Sequence, residues 1–156
     1  MKRLIALVAV ASAVSFSVNA GTLPQDVKFA ADGSVAQSLT GTPGDPAEGL
    51  RIATTRSMGN CIACHVAQGW AKFPEPGNIG PSLDGAGARY TVAQLRGIIA
   101  NPKHTFAGTM MPSFYNVSNI IRPGEGYTAK PAKVITPILT AQQVEDVVAF
   151  IATFKN

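Results

Sequence analysis

The chain has 156 residues and a formal net charge of +4; it is 46% hydrophobic but only 14% charged, with 15 glycines, 11 prolines and two cysteines. That length suits one domain, the apolar content excludes a disordered chain, and two cysteines exclude a disulfide-rich scaffold. Glycine and proline fill about 17% of positions, against roughly 12% in average proteins, so loops and turns must dominate and something besides secondary structure has to hold them.

Taken in order, the first 20 positions read as a secretory signal. Lys2 and Arg3 form a basic start, positions 4–14 an apolar run, and Val18-Asn19-Ala20 a small-residue cleavage site. The apolar run falls short of the ~20 residues that a spanning helix needs. A mature chain from Gly21 with no membrane segment is therefore expected. Removing residues 1–20 leaves 11 basic and 9 acidic side chains, too small an excess for a nucleic-acid binder. Export also places the chain in an oxidising compartment.

Residues 21–44, rich in Gly, Ser, Thr and Pro, suit an N-terminal arm of low helical content lying over a domain at 45–156. Asp45-Pro46-Ala47-Glu48 supplies a cap, an N1 proline and an acidic first turn, which predicts a helix running through Leu50, Ile52 and Ala53 toward Met58. Thr91-Val92-Ala93-Gln94 is a capping box before Leu95, Ile98 and Ile99, with Val92 on the same apolar side; Asn101-Pro102 ends that helix. A third box, Thr140-Ala141-Gln142-Gln143, opens the clearest amphipathic stripe: Val144, Val147, Val148, Ile151 and Phe154. This last helix is expected to pack on the first. The whole reads as an all-α domain of three short helices joined by long loops.

The chemistry lies in Cys61-Ile62-Ala63-Cys64-His65. A CxxC pair alone suits a redox dithiol, half a zinc site or a local disulfide. The zinc reading needs a second ligand pair and the thioredoxin reading a βαβ surround, and neither is present. With a histidine directly after the second cysteine, the motif predicts covalent attachment of one haem c: Cys61 and Cys64 add to the vinyl groups and His65 reaches the iron. A Cys61–Cys64 disulfide is the main alternative.

Electron transfer asks for a sixth iron ligand, and the candidates are Met58, His104, Met110 and Met111. Met58 precedes the attachment motif by three residues and suits core packing. Met110 and Met111 follow His65 by 45 and 46 residues in a turn-rich stretch, far enough to reach the opposite face of the haem. Met111 is the choice, because Pro112 pushes the residue before it toward extended geometry. Met110 is then expected to fill a gap in the core. His104 is the rival ligand and would lower the potential that a methionine raises. An open sixth position would instead make a gas-sensing module.

A ligating histidine normally donates its other ring N–H to a fixed acceptor. Gly80, Pro81, Leu83 and Gly85 match the GPxLxG loop of class I cytochrome c, and the chain resembles that family here. The resemblance implies a class I cytochrome c-like fold, with the Pro81 carbonyl accepting from His65 and Arg89 near a haem propionate; a plain surface role for Arg89 stays open. Trp70, Tyr90, Phe106 and Phe114 are candidates to wall the haem, or simply core aromatics.

The flanking segments carry a closer resemblance. Residues 38–46 (SLTGTPGDP), 77–81 (GNIGP), Met111-Pro112 and above all 137–150 (PILTAQQVEDVVAF) look like the SoxX family of sulfur-oxidation c-type cytochromes. The loop at 121–136 does not follow the family. What the resemblance implies is a periplasmic subunit paired with a SoxA-like cytochrome, in a complex that conjugates thiosulfate oxidatively to a cysteine of the SoxYZ carrier. Bond formation belongs to the SoxA partner; this subunit accepts electrons and passes them to a soluble cytochrome. Both cysteines are consumed by haem attachment, and no catalytic dyad stands out. The alternative is a free mobile monohaem carrier between exported dehydrogenases and a terminal oxidase. Steered shuttles often display a lysine ring, whereas Lys28, Lys72, Lys103, Lys130, Lys133 and Lys155 are scattered along the chain.

Overall fold

A computed structural model describes residues 21–74, 76–121 and 130–156. The predicted signal at 1–20 and positions 122–129 of the 121–136 loop lie outside the described residues. Four α-helices, α1 (Pro46–Thr54), α2 (Ala86–Arg89), α3 (Val92–Ala100) and α4 (Ala141–Ile151), are joined by loops that carry 3-10 turns at Pro24–Asp26, Cys61–Ala63, Gln68–Trp70 and Pro102–His104. The described residues contain no β-strand. None of their helices is long and apolar enough to cross a membrane.

The three capped starts form as their chemistry requires. Asp45 accepts from the Ala47 N–H at 2.8 Å with Pro46 at the first helical position. Both boxes close: Thr91 with Gln94 at 3.2 and 3.0 Å, and Thr140 with Gln143 at 3.2 and 2.9 Å. The first helix stops at Thr54, short of Met58. There the Thr55 hydroxyl bonds back to the Arg51 carbonyl at 2.6 Å, Met58 N–H closes a turn onto Thr55, and Asn60 takes a left-handed φ of 47° that leads into the cysteine turn. The one-turn α2 escapes sequence reading because four residues carry no periodicity.

Helix α4 packs along α1 and also meets α3. Contact with α1 is close because of Gly49: a Cβ there would come within 2.1 Å of the Asp146 carbonyl oxygen, so a side chain would force the helices apart. Ile52, Val144 and Val147 are fully buried between them. The stripe on α4 faces inward as predicted, with Val148, Ile151 and Phe154 also buried. On α3, Leu95, Ile98 and Ile99 are buried but Val92 is 49% exposed. It is the first helical residue, on a turn at the molecular surface, and does not join the apolar side expected of it.

Residues 21–44 give Val27, Val35 and Leu39 to the same core. They are also tied in by polar groups that no periodicity announces. Arg96 and Glu145, both buried, form a two-point ion pair at 2.8 and 3.1 Å. Arg96 donates further to the Val35 carbonyl at 2.8 Å, and Glu145 accepts from the Leu39 N–H at 2.7 Å. Beside it, buried Asp146 accepts from the Asp45 N–H at 2.9 Å and from Gln142 at 3.0 Å. One cluster thus joins the N-terminal segment, α1, α3 and α4.

Candidate haem site

The helices and loops leave a cavity of about 820 Å³, within the roughly 300–1,000 Å³ typical of ligand and cofactor sites. One wall begins with the 3-10 turn at Cys61–Ala63, where His65 N–H bonds to the Cys61 carbonyl at 3.0 Å. Cys61, Cys64 and His65 all line the cavity, and both cysteines are free thiols. No disulfide joins them. Removal from solvent pushes the Cys61 thiol up to about 12, because burial disfavours its anion.

The loop after the motif folds back onto it by main-chain bonds: Gly77 N–H to Ile62 O at 2.7 Å, Gly80 N–H to Cys64 O at 2.7 Å, and Leu83 N–H to Val66 O at 3.0 Å. This brings the Pro81 carbonyl to 2.7 Å from His65 Nδ1. A carbonyl only accepts, so Nδ1 carries the proton and Nε2 keeps its lone pair as a metal donor. Gly80 is required for this approach, since a Cβ there would lie 2.3 Å from His65 Cε1.

Arg89 also lines the cavity. Its guanidinium donates to the Asp84 carbonyl at 2.6 Å and to the Ser82 carbonyl at 3.4 Å. It therefore braces the loop that carries Pro81, a function that the sequence alone did not suggest.

The opposing wall is a turn-rich stretch between α3 and α4. Met111 lines the cavity, half-buried and packed against the core, and Phe106, Phe114 and Tyr90 line it too. Met110 departs from expectation: it is 79% exposed at the rim and fills no core gap. Met111, next to it, is the more buried of the two and is the one packed against the core. His104 is not among the lining residues; its ring stacks on Phe29 with centroids 4.0 Å apart. Met58 packs against the core, as anticipated. Trp70 does not wall the cavity. It is fully buried against Phe150 and Phe154 at centroid distances of 6.1 and 5.9 Å, because the Gln68–Trp70 turn directs it toward the end of α4.

The donor set suits a covalently held haem. Two thiols and an imidazole with a fixed tautomer lie on one wall and a thioether on the other. Leu95, Ile98, Ile99, Val147 and Ile151 supply an apolar interior between them that excludes water and tunes a redox centre. The described residues hold no cluster of three or more His, Cys, Asp or Glu able to bind a metal ion by themselves.

Comparison with known proteins agrees. The cytochrome c family profile matches residues 47–155. A chain in the crystal structure of SoxXA from P. pantotrophus is 53% identical, with 87% of this chain and 99% of that chain covered and a TM-score of 0.83. The c-type cytochrome SorU from Sinorhizobium meliloti is 21% identical over 70% of this chain and 90% of its own, with a TM-score of 0.42. Comparison with curated proteins gives no significant match. The chain therefore belongs to the cytochrome c family, as an all-α, class I, SoxX-type cytochrome that carries covalently bound haem c.

Proposed function

We propose that the protein is the electron-accepting subunit of a periplasmic complex with a SoxA-like cytochrome, and that this complex conjugates thiosulfate to the carrier cysteine of SoxYZ. The observation that carries this reading is the 53% identity to a chain of SoxXA over 99% of that chain's length. The site supports it: the cavity has the size and the lining, Cys61, Cys64, His65 and Met111, to take one redox cofactor.

In this reading Cys61 and Cys64 would hold the haem through thioether bonds, and His65 Nε2 and the Met111 thioether would be the donors offered to its iron. Pro81 fixes the imidazole by accepting its Nδ1 proton. Arg89 lines the cavity while bracing the Pro81 loop, and would be placed to meet a propionate. The apolar wall keeps water from the iron and so from side reactions. When bound, the haem supplies a one-electron centre whose potential a Met/His pair raises. Joining a carrier thiolate to thiosulfate forms an S–S bond and releases two electrons. The complex therefore needs a second acceptor or two successive transfers before electrons leave to a soluble cytochrome. With both cysteines occupied, no thiol remains here to carry sulfur.

Affinity capture from the native host, followed by haem staining, tests this directly. Two haem-staining bands are expected, this subunit and a larger cytochrome. A lone monomer that reduces a terminal oxidase unaided would overturn the proposal in favour of a mobile carrier. Thiosulfate-dependent reduction of the captured complex, in the presence of the carrier, is the functional readout.

A further inference from the structure

Lys103 makes no ion pair among the described residues, yet its ammonium is occupied. Nζ donates to the carbonyl oxygens of Thr109 at 2.7 Å and Met111 at 2.5 Å. These two carbonyls bracket Met110 and Met111. Elsewhere this stretch is sparsely fixed. Thr109 N–H closes a turn onto Phe106 at 3.2 Å, and the next main-chain anchor among the described residues is Phe114 N–H to Ile99 O at 3.3 Å. Between those points the only other tie on the Met111 backbone among the described residues is its N–H to the Thr109 hydroxyl at 3.2 Å.

Lys103 itself stands on firm ground. It lies in the Pro102–His104 turn, where Asn101 Oδ1 accepts its N–H at 3.3 Å and also accepts from the Ser113 hydroxyl at 2.8 Å. Pro102 next to it is fully buried, and its carbonyl accepts from Phe106 N–H at 2.8 Å.

The geometry points to Lys103 as the positioning residue for Met111, its ammonium pinning the Met111 carbonyl so that the thioether is held toward the iron. This inference rests on Met111 being the axial ligand. Hydrogen bonds from a charged donor are roughly twice as strong as neutral ones. A ligand whose backbone is already restrained loses less entropy on binding. Removing the clamp frees the loop and weakens the methionine against any competitor for the sixth position.

The test is imidazole binding to the oxidised, haem-loaded full chain, read by the visible spectrum. Lys103→Met is expected to bind imidazole about tenfold more tightly than the parent, equivalent to about 1.4 kcal/mol, with a matching loss of the methionine–iron charge-transfer band. Glu145→Gln, which loosens the fold at the Arg96 ion pair, neither of whose residues lines the cavity, is expected to keep the parental imidazole affinity. An unchanged affinity in Lys103→Met, alongside a large gain in Met111→Ala, would overturn the role of Lys103 while leaving the axial assignment intact. An equal gain in Glu145→Gln would overturn it as well, by reducing the effect to general loosening. If Met111→Ala binds imidazole no more tightly than the parent, the axial reading falls first.

Discussion

The two walls of the cavity are built by opposite means. On the attachment side, residues 61–89 are laced by main-chain bonds between positions 15 to 17 apart, from Gly77 to Ile62, Gly80 to Cys64 and Leu83 to Val66. On the opposing side, main-chain turns carry the stretch as far as Thr109, and residues 110–113 are held by side chains: Lys103, the Thr109 hydroxyl and the Ser113–Asn101 pair. Main-chain ladders tolerate substitution because every residue except proline carries the same donor and acceptor. Side-chain clamps depend on one residue each. The attachment wall is thus set by spacing and glycine, and the opposing wall by individual polar groups.

The largest expected loss lies outside both walls and serves as their reference. Glu145→Gln leaves Arg96 buried without its ionic partner, and about 3–5 kcal/mol of stability should disappear in guanidinium unfolding of the holoprotein. The haem spectrum is expected to stay unchanged; a shift would mean that the walls cannot be perturbed separately from the core.

On the attachment wall, Gly80→Ala places a Cβ against the His65 ring. The ring or the Pro81 loop must move, at a cost of about 1–3 kcal/mol. Loss of the bond to Pro81 should lower imidazole basicity and shift the midpoint potential in spectroelectrochemical titration. An unmoved potential would show that the Pro81 carbonyl does not tune the histidine.

Smaller effects come from the exposed clamps. Arg89→Met removes the donors to Ser82 and Asp84 and is expected to cost about 1 kcal/mol, reduced by solvent screening. Amide hydrogen exchange should rise at 82–85 and stay constant at 109–113. Ser113→Ala loses one hydrogen bond to Asn101, about 0.5–1 kcal/mol. Its exchange pattern should be the reverse, faster at 109–113 and unchanged at 82–85. Equal responses from both walls to either substitution would erase the distinction between them.

The same contrast explains what the sequence made legible. Cys61, Cys64, His65 and Pro81 could be read because their chemistry sits in contiguous motifs, and the structure brings all four to one wall. The choice of Met111 over Met110 rests on Pro112, and both line the cavity, Met111 the more buried of the two. Lys103 and Arg89 act on carbonyl oxygens, and any residue provides those, so no pattern marks the target. The Arg96–Glu145 pair joins positions 49 residues apart, beyond any local period. Trp70 was misplaced for a related reason: an aromatic residue announces burial but not which of two adjacent apolar regions receives it. Val92 and Met110 show the limit of periodicity at element ends and rims, where an apolar side chain remains in solvent.

The span of the Glu145 clasp bears on how the protein matures. It reaches back 106 residues to Leu39, and Val147 and Ile151 of the same helix line the cavity. The pocket is therefore incomplete until α4 has been made, well after the cysteine motif in chain order. Contacts of such separation are slow to form because loop closure must precede them. Docking of α4, which brings Val147 and Ile151 to the cavity, is thus the step that completes the wall facing the cysteine motif's pocket.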